Sequence, residues 1–532
     1  MAERQPIPPE IEIHTEPRRP VDDPTLGIPV PHAAPAAAPT HRFVTVGDSL
    51  SHGFMSGAIR RTDLSWPAIT AFELGLTAAQ FTFPTYEWPT GPGGLPLDLE
   101  RLAREFGDRF GSKLDLLESF RAGPWLRGYM DRIEDYWETG VGSRPPVDGP
   151  PFHNTAVYGW DVLDPQVLTE ARIEGQLAAT PSDAYLAQIV ENHASRAARP
   201  VLHRAAQGDP TRTVLDSVAA MAEDGGVETL AVVLGSNNAL GSVLSLRPAW
   251  TPEGYEDKTL AERAEARRGC NLWRPKAFAA DWADLVATLR TIKAQHVVVA
   301  TVPSVTIAPI ARGTERKVRP DSRYFPYYTR PWITDDDFDP EHDPHLTVDE
   351  VRAIDSAIDA YNTTIIDSVR DARSAGLDWY LFDMGGVLDR LATRRYIDSP
   401  WARPSWWEPY QLPAALERLD PVPNTRFFRS GPEGRTDGGL FSLDGVHPTT
   451  IGYGVLAQEV IKVLRAAGVV FLDRRGNPRP DPVEVDFDRL LRADTLVSRP
   501  PVSVTGSLGL LGWLDEKLDV FSTYLPFVHS PL

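Results

Sequence analysis

An α/β protein built on a doubly wound parallel sheet is what the sequence predicts, and three observations predict it. Short apolar runs of strand length recur at Arg42–Val46, Asn154–Tyr158, Leu230–Leu234, Val297–Val302 and Trp379–Phe382. Helix-like stretches lie among the segments between them, and alternating β and α segments fold most simply as parallel strands with helical crossovers. The first run, Arg42-Phe43-Val44-Thr45-Val46, stops at Gly47, as a buried parallel strand does where it enters a loop.

Taken in order, residues 1–40 are crowded with Pro, Ala and charge and lack aromatic anchors, which predicts a disordered leader. Ser65-Trp66-Pro67-Ala68-Ile69 opens a helix. Helical spacing of apolar residues predicts another over Ala277–Gln295. A third runs over Thr347–Ala375, with Thr347 as cap and Glu350 three residues on. The last core helix spans Thr450 to Ala467. Segments 86–150, 160–227, 304–346 and 384–440 are far longer than ordinary βα connections and read as insertions, forming a cap. Two are rich in aromatics, Tyr324-Phe325-Pro326-Tyr327-Tyr328 and Trp401 through Trp407, which suit walls over a cleft or a satellite hydrophobic cluster. The domain therefore covers 41–470, and 471–532 is a C-terminal extension docked on the body, with an amphipathic stretch at 505–532. That stretch lacks the Lys/Arg-rich face of an interfacial lipid-binding helix.

Composition removes several function classes. The 532 residues are 42% hydrophobic, enough for a large core. Acidic residues outnumber basic ones, 73 to 54, for a net charge of −19, which argues against nucleic-acid or anionic-lipid partners. Cys270 is the only cysteine, excluding an intrachain disulfide and a cysteine-rich zinc site, and it reads equally well as a small buried hydrophobe. The first residues carry no apolar export signal, so a cytoplasmic location is expected. No run reaches the about 18 to 20 apolar residues of a membrane-spanning helix.

Candidate chemistry begins at Gly47-Asp48-Ser49-Leu50-Ser51, directly after the first predicted strand, where open α/β sheets place ligands. Alone the tripeptide is a common loop. Downstream, Asp444-Gly445-Val446-His447-Pro448 brings a carboxylate and an imidazole within three residues before the last helix. A serine hydroxyl needs a base to take its proton, and the base needs a carboxylate to orient it; Ser49, His447 and Asp444 supply those roles. Without Ser49, Asp444 would read as a helix-start cap and His447 as a loop histidine. Two strand-end turns offer oxyanion donors: His153–Gly159 through the Gly159 N–H, and Leu234-Gly235-Ser236-Asn237-Asn238 through the Asn237 amide. Each is also an ordinary turn.

The four blocks resemble those of the GDSL/SGNH hydrolases, a family marked by Ser, Gly, Asn and His in separate blocks, here Ser49, Gly159, Asn237 and His447 in the family's order. Asp444 matches the family's acid three residues before the histidine; Ser65-Trp66-Pro67-Ala68 and Gly452-Tyr453 resemble its first and last helix openings. The resemblance implies a three-layer α/β/α, flavodoxin-like fold and a GDSL-type esterase or lipase, with reach to phospholipid esters. It implies Ser49 as nucleophile and as oxyanion donor through its N–H, with Gly159 and Asn237 as the other donors. Asn238 departs from the family's common Asp and is read as structural. Ser49 lacks the Gly-x-Ser-x-Gly elbow of the α/β-hydrolases.

His52, beside the nucleophile, reads as a packing or hydrogen-bonding residue rather than a second base. Asp335-Asp336-Asp337-Phe338-Asp339 with Glu341, His342, Asp343 and His345 has enough oxygen and imidazole ligands to hold a divalent cation, but its spacing is unlike a calcium loop and charge runs usually face solvent, so it reads as a solvated acidic loop and no cofactor or metal is expected. The expected reaction is ester hydrolysis through an acyl-serine on a small ester or lipid substrate. An acyltransferase with the same triad and an inactive binding scaffold are the alternatives.

Overall fold

The computed structural model of the chain describes residues 4–31, 39–86, 91, 93–110, 116–179 and 190–501. The core elements, in chain order, are strand β1 (His41–Gly47), the one-turn helix α1 (Ser49–His52), helices α2 (Trp66–Glu73) and α3 (Val214–Glu223), and strand β2 (Val227–Val233). They continue with helices α4 (Asn237–Leu244) and α5 (Pro275–Leu289), strand β3 (Ala294–Ala300), the long helix α6 (Val348–Ser374), strand β4 (Trp379–Phe382), α7 (Met384–Leu391) and α8 (Thr450–Ala466).

The four strands form one parallel sheet in the order β1-β2-β3-β4. Register pairs Thr45 with Ala231, Ala231 with Val298, and Val298 with Tyr380. Side chains alternate across this sheet with period two. Val44, Val46, Leu230, Val232, Val297, Val299 and Leu381 enter one apolar layer, under Val218 of α3, Phe278 and Leu285 of α5 and Ile358 of α6. Phe43, Ala231, Val233, Val298, Ala300, Tyr380 and Phe382 enter the other, under Trp66 and Ile69 of α2 and Ile461 and Leu464 of α8. Burial on both faces explains why the strands read as near-continuous apolar runs.

The predicted strand Asn154–Tyr158 is instead a single parallel bridge between Asn154 and Thr45 on the outer edge of β1. The segment still follows β1 through backbone bonds from Thr45 N–H to the His153 carbonyl (2.8 Å), from Thr155 N–H to the Thr45 carbonyl (2.9 Å) and from Val157 N–H to the Gly47 carbonyl (3.1 Å), and Asn154 Oδ1 accepts from Thr45 Oγ1 (2.8 Å) and the Ala156 N–H (3.2 Å). The chain thus passes from β1 to a segment on one side of it, then to β2 on the other. That reversal beside β1 is a topological switch point, where open α/β sheets form their ligand crevice.

Helix boundaries follow local chemistry. Ser65 caps α2, and a reciprocal Thr347–Glu350 capping box opens α6. Helix α5 stops at Leu289, short of the predicted Gln295, because apolar periodicity runs on through a brief turn into β3.

Part of the leader departs from the expectation of disorder, while residues 1–3 and 32–38 lie outside the described residues. Residues 4–31 lie as an extended strap against α6 and β4. Arg4 pairs with Glu350, the His14 N–H donates to Ser356 Oγ (3.0 Å), and Ile28 accepts from Arg373 (2.8 Å). The Leu381 N–H on the free edge of β4 donates to the Pro24 carbonyl (2.9 Å), so the strap covers an edge that would otherwise stay unpaired.

The insertions have several destinations. Segment 86–150 contributes helices Leu99–Phe110 and Leu116–Glu138. Segment 160–227 builds a separate apolar cluster from Trp160, Leu163, Ile173, Val201 and Leu202. Of the two readings of the aromatic runs, Trp407 meets the satellite one, packing on Ala392 and Tyr396, and Trp401 is 83% exposed. Of the C-terminal extension, Phe471, Val483, Val485, Phe487 and Leu490 join the second apolar layer; residues 502–532, with the amphipathic stretch, lie outside the described residues.

Candidate active site

Ser49 stands at the carboxyl end of β1 because the chain turns there without room for a side chain at residue 47. A β-carbon on Gly47 would sit 2.5 Å from Ser51 Oγ and 2.9 Å from the Val233 carbonyl. Asp48 caps the turn, its Oδ1 accepting from the Leu50 N–H (3.0 Å). Ser49 then opens α1, so its N–H has no acceptor within the helix.

The loop before α8 brings the other two groups to the serine. His447 Nε2 lies 2.9 Å from Ser49 Oγ, and His447 Nδ1 lies 3.1 Å from Asp444 Oδ2. The carboxylate draws the imidazole proton to Nδ1, which leaves Nε2 as acceptor for the Ser49 O–H. Asp444 also accepts the N–H groups of Gly57 (2.9 Å), Val446 (2.9 Å) and His447 (2.8 Å). Burial alone would raise its pKa, but the imidazole and these donors hold the carboxyl below its ordinary value. Phe54 packs beside the His447 ring, centroids 4.6 Å apart, and the Tyr453 O–H donates to the Phe54 carbonyl (2.5 Å) from the start of α8.

Gly159 is held between the helices that carry Ser49 and Asn237. The Tyr158 N–H donates to His52 Nδ1 on α1 (3.1 Å), and the Trp160 carbonyl accepts from Asn237 Nδ2 at the start of α4 (2.7 Å). Gly159 itself has φ 82°, a left-handed conformation that side chains resist. An amide carries two N–H bonds, and among the described residues Asn237 uses one, leaving one for a ligand. Asn238 accepts the Val162 N–H (3.2 Å), the structural part expected of it.

His52 has a defined place in this support. Because its Nδ1 accepts from Tyr158, its Nε2 donates to Tyr86 Oη (3.1 Å), whose O–H donates to the Ala197 carbonyl (2.7 Å). Burial pushes its pKa down to about 3, so it stays neutral and positions the Gly159 turn. Sequence reasoning missed Asn154, whose Nδ2 ties to the Ser51 carbonyl (2.8 Å). It also missed Arg267, buried against Asp161 and Asp164 just past Gly159. Neither carries a local motif, since each acts through a partner about 100 residues away in the chain.

Ser49, His447 and Asp444 are 2%, 1% and 0% exposed, and a cavity opens onto the first two. That cavity, about 830 Å³ counting its open mouth, is lined by Ser49, Ser236 and His447 with apolar side chains such as Leu240, Val305, Ala308, Met384, Leu388 and Val455. None of its described lining residues is Asp, Glu, Lys or Arg. Insertions 304–346 and 384–440 supply much of the wall.

In the acidic loop, Asp335 pairs with Arg312, His342 with Asp339, and His345 with Arg4. Among the described residues no group of three or more His, Cys, Asp or Glu is arranged to hold a metal ion. Cys270 is buried, which pushes its thiol up to about 11. No helix among the described residues is long and apolar enough to cross a membrane. Comparison of the chain with protein-family models found no match, and comparison with curated proteins found none either.

Proposed function

We propose that the chain is a serine hydrolase of the GDSL/SGNH type that cleaves carboxylic esters with an apolar acyl group. The observation that carries this reading is the hydrogen-bonded series Ser49–His447–Asp444 at the wall of an apolar cavity. The strand order, with the Asn154 segment outside β1 and three strands on the other side, supports the flavodoxin-like architecture of that family.

In the proposed reaction His447 Nε2 takes the Ser49 proton as Oγ attacks the ester carbonyl, and Asp444 stabilises the imidazolium that forms. The Ser49 and Gly159 N–H groups and the Asn237 amide stabilise the oxyanion. The imidazolium then protonates the departing alkoxide, leaving an acyl-serine. Water, deprotonated by His447, attacks that ester; the carboxylic acid leaves and Ser49 regains its proton.

The test is hydrolysis of p-nitrophenyl esters, from acetyl to long-chain, by the purified chain and its Ser49→Ala variant. The expected result is turnover that rises with acyl length and vanishes in the variant. Equal turnover in both overturns the assignment.

A further inference from the structure

Beside the catalytic cavity lies a second one of opposite character. Thr425 lines both, and the 304–311 segment stands between them, with Val305 and Ala308 on the apolar side and Thr306 and Ile307 on the other. Five arginines line the second cavity (Arg312, Arg394, Arg395, Arg426 and Arg429) against three aspartates, Asp335, Asp398 and Asp437. In a chain of net charge −19, a pocket with surplus positive charge is a local reversal of field.

The ion pairs do not use up that surplus. Arg312 meets Asp335 (2.6 Å), Arg426 meets Asp398 (2.8 Å), and Arg395 meets Asp355 (2.9 Å) from outside the lining. Arg394 has no ion pair among the described residues; it donates to the Gly313 carbonyl (2.8 Å) and lies over the Phe325 ring at 4.9 Å. Arg395 is 3% exposed, and its Nε and Nη1 are buried without a hydrogen-bond partner. Arg429 is exposed, and its side chain makes no hydrogen bond or ion pair among the described residues. Burial and the neighbouring Arg312 and Arg426 charges lower the Arg394 pKa, an unfavourable state that a bound anion would relieve.

We infer that this cavity is a binding site for a small ligand bearing a carboxylate or phosphate, with Arg394 as its principal contact and Arg395 and Arg429 completing the recognition. Guanidinium groups match the two-oxygen edge of either anion, and desolvated walls strengthen the pairing. The site lies behind the catalytic loop, since Phe427, which also lines it, would be 2.8 Å from a β-carbon on Gly445, between Asp444 and Val446.

The test is calorimetric titration of the full chain with inorganic phosphate and, separately, with succinate, against chloride of equal ionic strength. The expected result is saturable binding of at least one anion, weakened about ten-fold or more by Arg394→Gln and several-fold by Arg429→Gln, and unchanged by Arg370→Gln on the exposed face of α6. Binding of phosphate alone identifies a phosphate ligand, and of succinate alone a carboxylate. Circular dichroism checks the fold of Arg394→Gln; if it fails to fold, Arg429→Gln, whose side chain has no bonds to lose, decides alone. No saturable binding of either anion, or equal affinity across all variants, overturns the proposal. Binding is read directly, so the outcome stands whether or not the chain hydrolyses esters.

Discussion

Two loops at the mouth of the sheet each carry a fully buried carboxylate, and they treat it oppositely. Asp444, before α8, accepts three backbone N–H groups and faces His447, so its pKa falls below the ordinary value despite burial. Asp48, before α1, is buried as deeply and accepts the Leu50 N–H; burial outweighs that bond and raises its pKa to about 7. Burial alone therefore does not fix the charge of a carboxylate: the His447 imidazole, together with the backbone donors, lets Asp444 remain an anion.

The largest effect is expected at Asp444. Asp444→Asn keeps the shape but reverses the preferred imidazole tautomer, and kcat for ester hydrolysis is expected to fall by about 10⁴-fold with KM nearly unchanged. A drop under ten-fold would remove Asp444 from the mechanism. Asn237→Ala, which removes one oxyanion donor, is expected to lower kcat by about 10²- to 10³-fold in the same assay.

Next in size is a change in the cavity. Ala308→Trp fills space lined by apolar side chains, and kcat/KM for a long-chain ester is expected to fall about ten-fold or more while an acetyl ester changes about two-fold or less. Equal losses on both esters would mean that the acyl group lies elsewhere.

The smallest activity effect is expected at Asp48. Its Asn variant keeps a cap for Leu50, so kcat should change less than about ten-fold. Stability should change with pH. The folded chain holds a proton on Asp48 that the unfolded chain, with an ordinary pKa of 3.8, has released, so this stabilisation is full below that value and is lost as pH rises through 7. Asp48→Asn should therefore melt higher than wild type at pH 8 by a margin that shrinks or reverses at pH 4. Asp444 has the opposite sign: its contribution is present above the ordinary carboxylate range and is lost as pH falls through its lowered pKa. A melting difference for Asp48→Asn that does not vary with pH would mean that folding does not raise the Asp48 pKa.

Much of this arrangement was legible in the sequence because it rests on local features. Gly47 ending an apolar run, and an Asp three residues before a His ahead of a helix, each leave a short-range mark. The strap of residues 4–31 left none: its Pro and charge content resembles that of disordered chains, and what holds it is Glu350, Ser356, Arg373 and the edge of β4, more than 300 residues onward. The run Asn154–Tyr158 was read as a full strand because its residues are strand-like, while only Asn154 forms a bridge to β1 and the following N–H bonds, from Thr155 and Val157, are too few for a ladder. The aromatic insertions left two readings open because aromatic content marks burial without saying against what: Trp407 is in a satellite cluster, and Phe325 and Tyr328 line the arginine cavity rather than the one at Ser49.

Activation of Ser49 by His447, the core of the proposed mechanism, is read by treating the purified chain with a fluorophosphonate and mapping the adduct by peptide mass spectrometry. The expected product is a single phosphonyl group on the peptide containing Ser49, absent from Ser49→Ala and formed at least about 10³-fold more slowly in His447→Ala. An adduct on another residue, or labelling of Ser49 at the same rate without His447, would contradict it.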